Sequence, residues 1–195
     1  MRILTMVFLV WIVPVMALGE GISMREAQTR LFPHDGQAIQ LSSSLSKDER
    51  DVMVALVPVL KTQLAASVEY YSSLAYSPDE GLISASMQGA FNYHDIASAD
   101  AAARAACNKA KKSGSVSCRV AARILPQGFS NRDFTLSQPA TAAFQESIRD
   151  WLTGSAMAVS RSTGAWGIGA SADAALAECR IASKSASDCQ VDVEN

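Results

Sequence analysis

Apolar positions along this chain switch between a helical period and strict alternation, and the switches mark out its elements. Met53, Leu56, Val57, Leu60 and Leu64 share one helical face, opened by Ser46 with Glu49 three residues on as a capping box. Pro58 is expected to kink that helix or end its first part. Ala99, Ala102, Ala103, Ala106, Cys107 and Ala110 form a stripe of small residues at helical spacing, and Ala172, Ala175, Leu176, Cys179 and Ala182 form another. Ser98 and Ser171 stand where N-caps belong. Alternation follows each stripe, with Cys118, Val120 and Ala122 on one strand face and Cys189, Val191 and Val193 on another. Ahead of the helices, Ser73–Ser77 turns through Pro78-Asp79-Glu80-Gly81 into a return strand over Leu82–Met87. Met157–Ser160 turns through Arg161-Ser162-Thr163-Gly164 into Ala165–Ile168, a second hairpin.

These elements come in the same order twice, so the chain reads as an internal repeat. Ser98-Ala99-Asp100-Ala101-Ala102 before Cys107 and Cys118 matches Ser171-Ala172-Asp173-Ala174-Ala175 before Cys179 and Cys189. The duplication extends upstream: Leu31-Phe32-Pro33-His34-Asp35-Gly36 before Leu41-Ser42 parallels Leu125-Pro126-Gln127-Gly128 before Leu136-Ser137. A helix follows in both places, the second sketched by Ser137, Pro139, Phe144, Ile148 and Trp151. The expected fold is α+β: two pseudo-symmetric helix–hairpin–helix–strand units, residues 31–123 and 124–195, with antiparallel sheet and helices on one side. One continuous sheet and two abutting sheets both satisfy the pattern.

Within each unit one cysteine lies on the small stripe of the helix and the other on the apolar face of the next strand. Those faces pack together, so the expected bridges are Cys107–Cys118 and Cys179–Cys189. Each closes a loop of about ten residues, worth on the order of 2–3 kcal/mol by chain entropy. No C-x-x-C occurs and the two histidines lie far apart in sequence, which disfavours a redox pair or zinc.

The first residues bear on compartment. Met1-Arg2 precedes an apolar run from Ile3 to Val15, and Val15-Met16-Ala17 offers a small-residue cleavage site. Residues 1–17 read as a secretory signal peptide, too short for a comfortable membrane span, and residues 18–30 as a flexible N-terminal segment. After cleavage no other stretch is expected to cross a bilayer, which gives a periplasmic or secreted bacterial protein. Of 195 residues, 49% are hydrophobic, as in ordinary globular domains, and the formal charge is −2. With that balance, and Lys111-Lys112 as the lone basic doublet, nucleic acid is not an expected partner.

Ser162-Thr163-Gly164-Ala165-Trp166-Gly167, Ala172-Asp173-Ala174-Ala175, Cys179 and Asp188-Cys189-Gln190-Val191 resemble the bacterial DUF4189 family. That resemblance implies a small, exported, alanine-rich domain with a cysteine pair and no assigned function. The whole chain is also similar to alphaproteobacterial exported proteins sharing Leu31-Phe32-Pro33, Tyr70-Tyr71, Tyr76-Ser77-Pro78-Asp79-Glu80-Gly81-Leu82 and Leu125-Pro126 with Gly128. Some of these carry the label 5-aminolevulinate synthase, which implies pyridoxal phosphate, a Schiff-base lysine and a phosphate cradle. Lys47, Lys61, Lys109, Lys111, Lys112 and Lys184 all fall on predicted helices or their solvated ends, without a glycine-rich loop. The residues themselves call for no cofactor and no metal.

Candidate chemistry concentrates where the repeat is broken, at Gln88–Ala97. Asn92, Tyr93 and His94 are candidate binding residues there, and His94 with Asp95 is a candidate acid–base pair if a serine such as Ser84 or Ser86 stands close. As a loop residue His94 is expected to contribute little to stability. Asp79 and Glu80 are candidate paired carboxylates, although acids are ordinary residues in a turn. Trp166, Tyr70 and Tyr71 read as core in preference to a ligand platform. The leading expectation is a noncatalytic module binding an envelope partner or small ligand. The alternative is a small periplasmic hydrolase using His94 with Asp95 or Glu80 and a serine.

Overall fold

A computed structural model describes residues 21–63 and 68–195; the leader read at residues 1–17 and Leu64 lie outside the described residues. In chain order the elements are β1 (Ile22–Ser23), α1 (Met24–Arg30), β2 (Gln37–Leu41), α2 (Lys47–Gln63), β3 (Ser72–Tyr76), β4 (Gln88–Ala90), α3 (Ile96–Ala110), β5 (Arg119–Pro126), α4 (Gln138–Ser147), β6 (Ala156–Ser160), β7 (Trp166–Gly169), α5 (Ala172–Ala182) and β8 (Cys189–Glu194). The protein is α+β with two sheets, ordered β2-β5-β3-β4 and β1-β8-β6-β7. All described pairings are antiparallel except β1 with β8, which run parallel.

The capping box forms as read: the Ser46 amide donates to Glu49 Oε2 at 2.7 Å and the Glu49 amide to Ser46 Oγ at 3.2 Å. Those bonds hold the Glu49 carboxyl below its ordinary range. The helix α2 continues through Pro58, and Met53 and Val57 reach the core. Ser137 and Ser171 cap α4 and α5. The cap of α3 is Asp95, whose carboxylate takes both the amide and the hydroxyl of Ser98. Ser98 therefore sits in the first turn instead of at the cap, because α3 starts earlier than its alanine stripe suggests.

Helices cover both faces of each sheet, not one side as expected. Met53 and Val57 of α2 pack on Leu74, Tyr76, Ala122 and Ile124, whereas Ala103 and Cys107 of α3 pack on Ala75, Ala90 and Cys118. In the second sheet α4 meets Met157, Val159 and Val193, and α5 meets Ala156 and Ala158. Every residue of the central strands β3 and β6 is accordingly buried.

A register shift in each sheet explains why simple alternation misplaced some strand residues. Leu74 pairs with Ala122 but Ala75 with Val120, and Met157 pairs with Val193 but Ala158 with Val191. Ala121 and Asp192 are the extra residues, and such a bulge turns the rest of its strand over. Cys118 thus faces α3 while Ala122 faces α2, and Cys189 and Val191 face α5 while Val193 faces α4.

The bridges are Cys107–Cys118 and Cys179–Cys189, with Cα separations of 6.0 and 6.1 Å, ordinary for disulfides. They pin α3 to β5 and α5 to β8. Close approach of α5 to its sheet depends on Gly167, where a Cβ would stand 2.4 Å from the Cys179 amide.

Three further expectations are corrected. The return strand of the first hairpin is β4 (Gln88–Ala90), and 82–87 is loop, since Ser84 and Ser86 bond each other and nearby backbone instead of a ladder. The extra chain of the first half therefore lies mainly before β4, and the stretch read as an insertion contains that strand. Residues 22–30 of the segment read as flexible form β1 and α1, because Ala27 and Leu31 have an apolar home in the second core. The division at 123/124 falls inside β5, whose last residues pair with β2.

Candidate functional site

The stretch from Asn92 to Asp95 lies between the two sheets, and its bonds to the backbone define the junction. His94 is fully buried. Its Nε2–H donates to the Ala165 carbonyl at 3.0 Å, and Nδ1 accepts the Ser137 amide at 3.2 Å. The ring is therefore neutral, with its proton on Nε2. Burial is the main cause that lowers its pKa to about 4, so it stays neutral at ordinary pH. Sequence reading missed this role because neither partner contributes a side chain.

The neighbours of His94 anchor this stretch to the first half and meet the second. The Tyr93 amide donates to the Tyr71 carbonyl at 2.9 Å and the Gln138 amide to the Tyr70 carbonyl at 3.0 Å. Asn92 adopts φ 60°, its Oδ1 accepts the Glu69 amide, and its amide donates to Ser72 Oγ. Gly164 is packed on this bend: a Cβ there would stand 2.6 Å from the Asn92 carbonyl oxygen. Arg161 crosses the seam, 3.7 Å from Asp95 and 2.5 Å from Asp192, and donates to the Thr135 carbonyl. The bulge residue Asp192 thus holds the guanidinium that reaches the cap of α3.

The candidate catalytic residues do not converge. Asp95 is a helix cap with no bond to His94, and Ser84 and Ser86 bond each other at 2.7 Å at the far end of the β3–β4 hairpin. Glu80 accepts the Lys112 amide at 2.8 Å, and Asp79 accepts Ser77 Oγ at 2.6 Å and the Val116 amide at 3.2 Å. A hydroxyl bond from Ser115 and the Lys112 amide hold Glu80 below its ordinary pKa, and the Ser77 hydroxyl with the Val116 amide does the same for Asp79. Both acids tie a turn to the loop before β5. Tyr70 and Tyr71 are core, as read. Lys47, Lys109, Lys112 and Lys184 are exposed, and among the described residues no trio of His, Cys, Asp or Glu is placed to hold a metal.

Grooves flank the junction. One of about 630 Å³ is lined by Phe91, Asn92, Thr163, Ala165, Trp166 and Lys184. Trp166 is half-buried, packed against the second core, and borders this groove. The groove is bordered by two aromatic residues and one lysine; no pair of titratable groups lines it for acid–base work.

Fold and junction define a disulfide-clipped, two-sheet α+β protein whose halves meet around a neutral histidine. In comparisons with known proteins the chain matches no family model, no curated protein and no solved structure. No described helix is long and apolar enough to cross a membrane. Two disulfides suggest an oxidising extracytoplasmic environment.

Proposed function

We propose that the protein is a noncatalytic exported module of the bacterial periplasm or cell envelope, built from a duplicated disulfide-clipped unit. It binds a small ligand or an envelope partner in the groove beside Trp166. The observation that carries this reading is the use of both His94 ring nitrogens as backbone latches, which leaves the best candidate base without a substrate-facing atom. The leader at residues 1–17 and the two bridges support export. Matching strand orders and matching bulges support duplication, and with it the resemblance to the DUF4189 domains.

A photo-crosslinking residue at Thr163 in exporting cells tests the binding reading. One dominant adduct, weakened by Trp166→Ala, is expected. Hydrolysis of an ester, peptide or glycoside substrate that vanishes in a folded His94→Gln variant would overturn it and restore the hydrolase.

A further inference from the structure

A second pocket on the junction, separate from the Trp166 groove, has its own chemistry. It encloses about 210 Å³ and is lined by Tyr71, the α3 residues Asp95, Ile96 and Ala97, and Phe129, Asn131, Arg132 and Thr135. Four observations meet there. The Tyr71 side chain is almost wholly buried, yet its hydroxyl has no hydrogen-bond partner among the described residues. An unpaired buried hydroxyl is costly, so a group that reaches it gains a free donor. Burial raises the Tyr71 pKa, so the proton stays on the oxygen.

The helix start adds further donors. Asp95 uses its carboxylate on Ser98, leaving the Ile96 and Ala97 amides as first-turn donors without an intrahelical acceptor. The positive end of the α3 dipole lies here. Arg132 is the third feature. Its guanidinium stacks 3.5 Å over the Phe32 ring and donates to the Arg30 carbonyl, and it has no carboxylate partner among the described residues. Finally, Phe129 and Ile96 give the pocket an apolar wall. Asp95 at the rim disfavours a dianion.

We infer that this pocket binds a small monocarboxylate, its oxygens held by Arg132, the Tyr71 hydroxyl and the start of α3, its short apolar tail against Phe129. The volume suits an acid of a few carbons. Nothing here depends on the Trp166 groove, so crosslinking at Thr163 and binding here succeed or fail separately.

Calorimetric titration and thermal melting with sodium propionate, butyrate and benzoate, against propionamide, phosphate and chloride at matched ionic strength, test the inference. Saturable one-to-one binding of the carboxylates, accompanied by a rise in melting temperature, is expected; propionamide gives neither. Tyr71→Phe removes an unpaired buried hydroxyl, so the free protein melts no lower while carboxylate affinity falls about tenfold. Arg132→Gln, at an exposed side chain, keeps the fold and loses binding; it decides the matter should Tyr71→Phe fail to fold. Absence of saturable binding, unchanged affinity in folded variants, or equal response to phosphate and chloride (an adventitious ion only) would overturn the inference.

Discussion

The two sheets share a centre and differ at their edges. In both, a fully buried middle strand (β3 or β6) pairs with a short hairpin partner on one side and a bulged strand on the other, and a disulfide ties that bulged strand to the covering helix. The outer strands diverge: β2 pairs antiparallel with β5 from just upstream, whereas β1 comes from the start of the described chain and runs parallel to β8. The first sheet also carries the long loop from Ser77 to Met87, which the second replaces with the turn Arg161–Ala165. The strand, bulge and bridge thus tolerate different edges. Both halves then rely on the His94 seam, where the connection from β4 to α3 meets the short turn of the second half.

The largest expected effect comes from breaking that seam. His94→Ala leaves a cavity and strips both the Ser137 amide and the Ala165 carbonyl of their partner. About 3–4 kcal/mol of stability should be lost, read by urea unfolding. A loss below about 0.5 kcal/mol, the range of ordinary surface changes, would mean that the halves do not depend on this latch.

Acid should act on the same residue. The folded pKa lies near 4, below the ordinary histidine value near 6.5, so the unfolded chain takes up a proton that the folded one refuses. His94's contribution is full above about 6.5 and declines as pH falls toward 4, by about 3 kcal/mol in total. Urea midpoints should fall through that window in the native protein and stay flatter in a folded His94→Gln variant. Equal slopes in the two proteins would place the sensitivity elsewhere.

The bridges test the likeness of the two centres. Their sequence separations are 11 and 10 residues, so chain entropy gives nearly equal contributions. Replacing Cys107 and Cys118 together by serine, or Cys179 and Cys189 together, should each cost about 2–3 kcal/mol. Melting under oxidising conditions checks this. Costs differing several-fold would show that one half folds around its bridge and the other does not.

How legible this was depends on whether a contact leaves a side-chain pattern. The α2 capping box, the small-residue stripes and both bridges were readable, since each needs particular residue types at particular spacings. The bulges were not: Ala121 and Asp192 carry no mark of being unpaired, and strict alternation put Ala122 with Cys118 and Val193 with Cys189. Strand β2 was missed because Gln37–Leu41 is mostly exposed and shows no clear apolar face. The junction was half legible. The expected break at Gln88–Ala97 pointed to a stretch that contains His94, but His94 bonds to backbone atoms distant in sequence, and sequence patterning does not record backbone partners.

A smaller contrast separates two clips that do one job with the acid on opposite sides. In the first half the hairpin turn supplies Asp79, which binds Ser77 and reaches the Val116 amide of the loop before β5. In the second the loop before β8 supplies Asp188, which reaches back to Ser160 Oγ at 2.7 Å, and to the amide and hydroxyl of Ser162 at 2.8 and 2.9 Å. Burial raises the Asp188 pKa, but the bonds from Ser160 and Ser162 outweigh it and bring the net value down. Asp188→Asn should cost about 1 kcal/mol, the worth of an ordinary hydrogen bond, because an amide group cannot accept from three donors as a carboxylate does. Asp79→Asn, at a fully exposed turn, should lower the melting temperature less. A turn acid moved across, Asp188→Ser together with Ser162→Asp, tests whether the side that supplies the carboxylate matters. Melting restored above that of Asp188→Ser alone would make the two clips interchangeable; no recovery would tie each acid to its own loop.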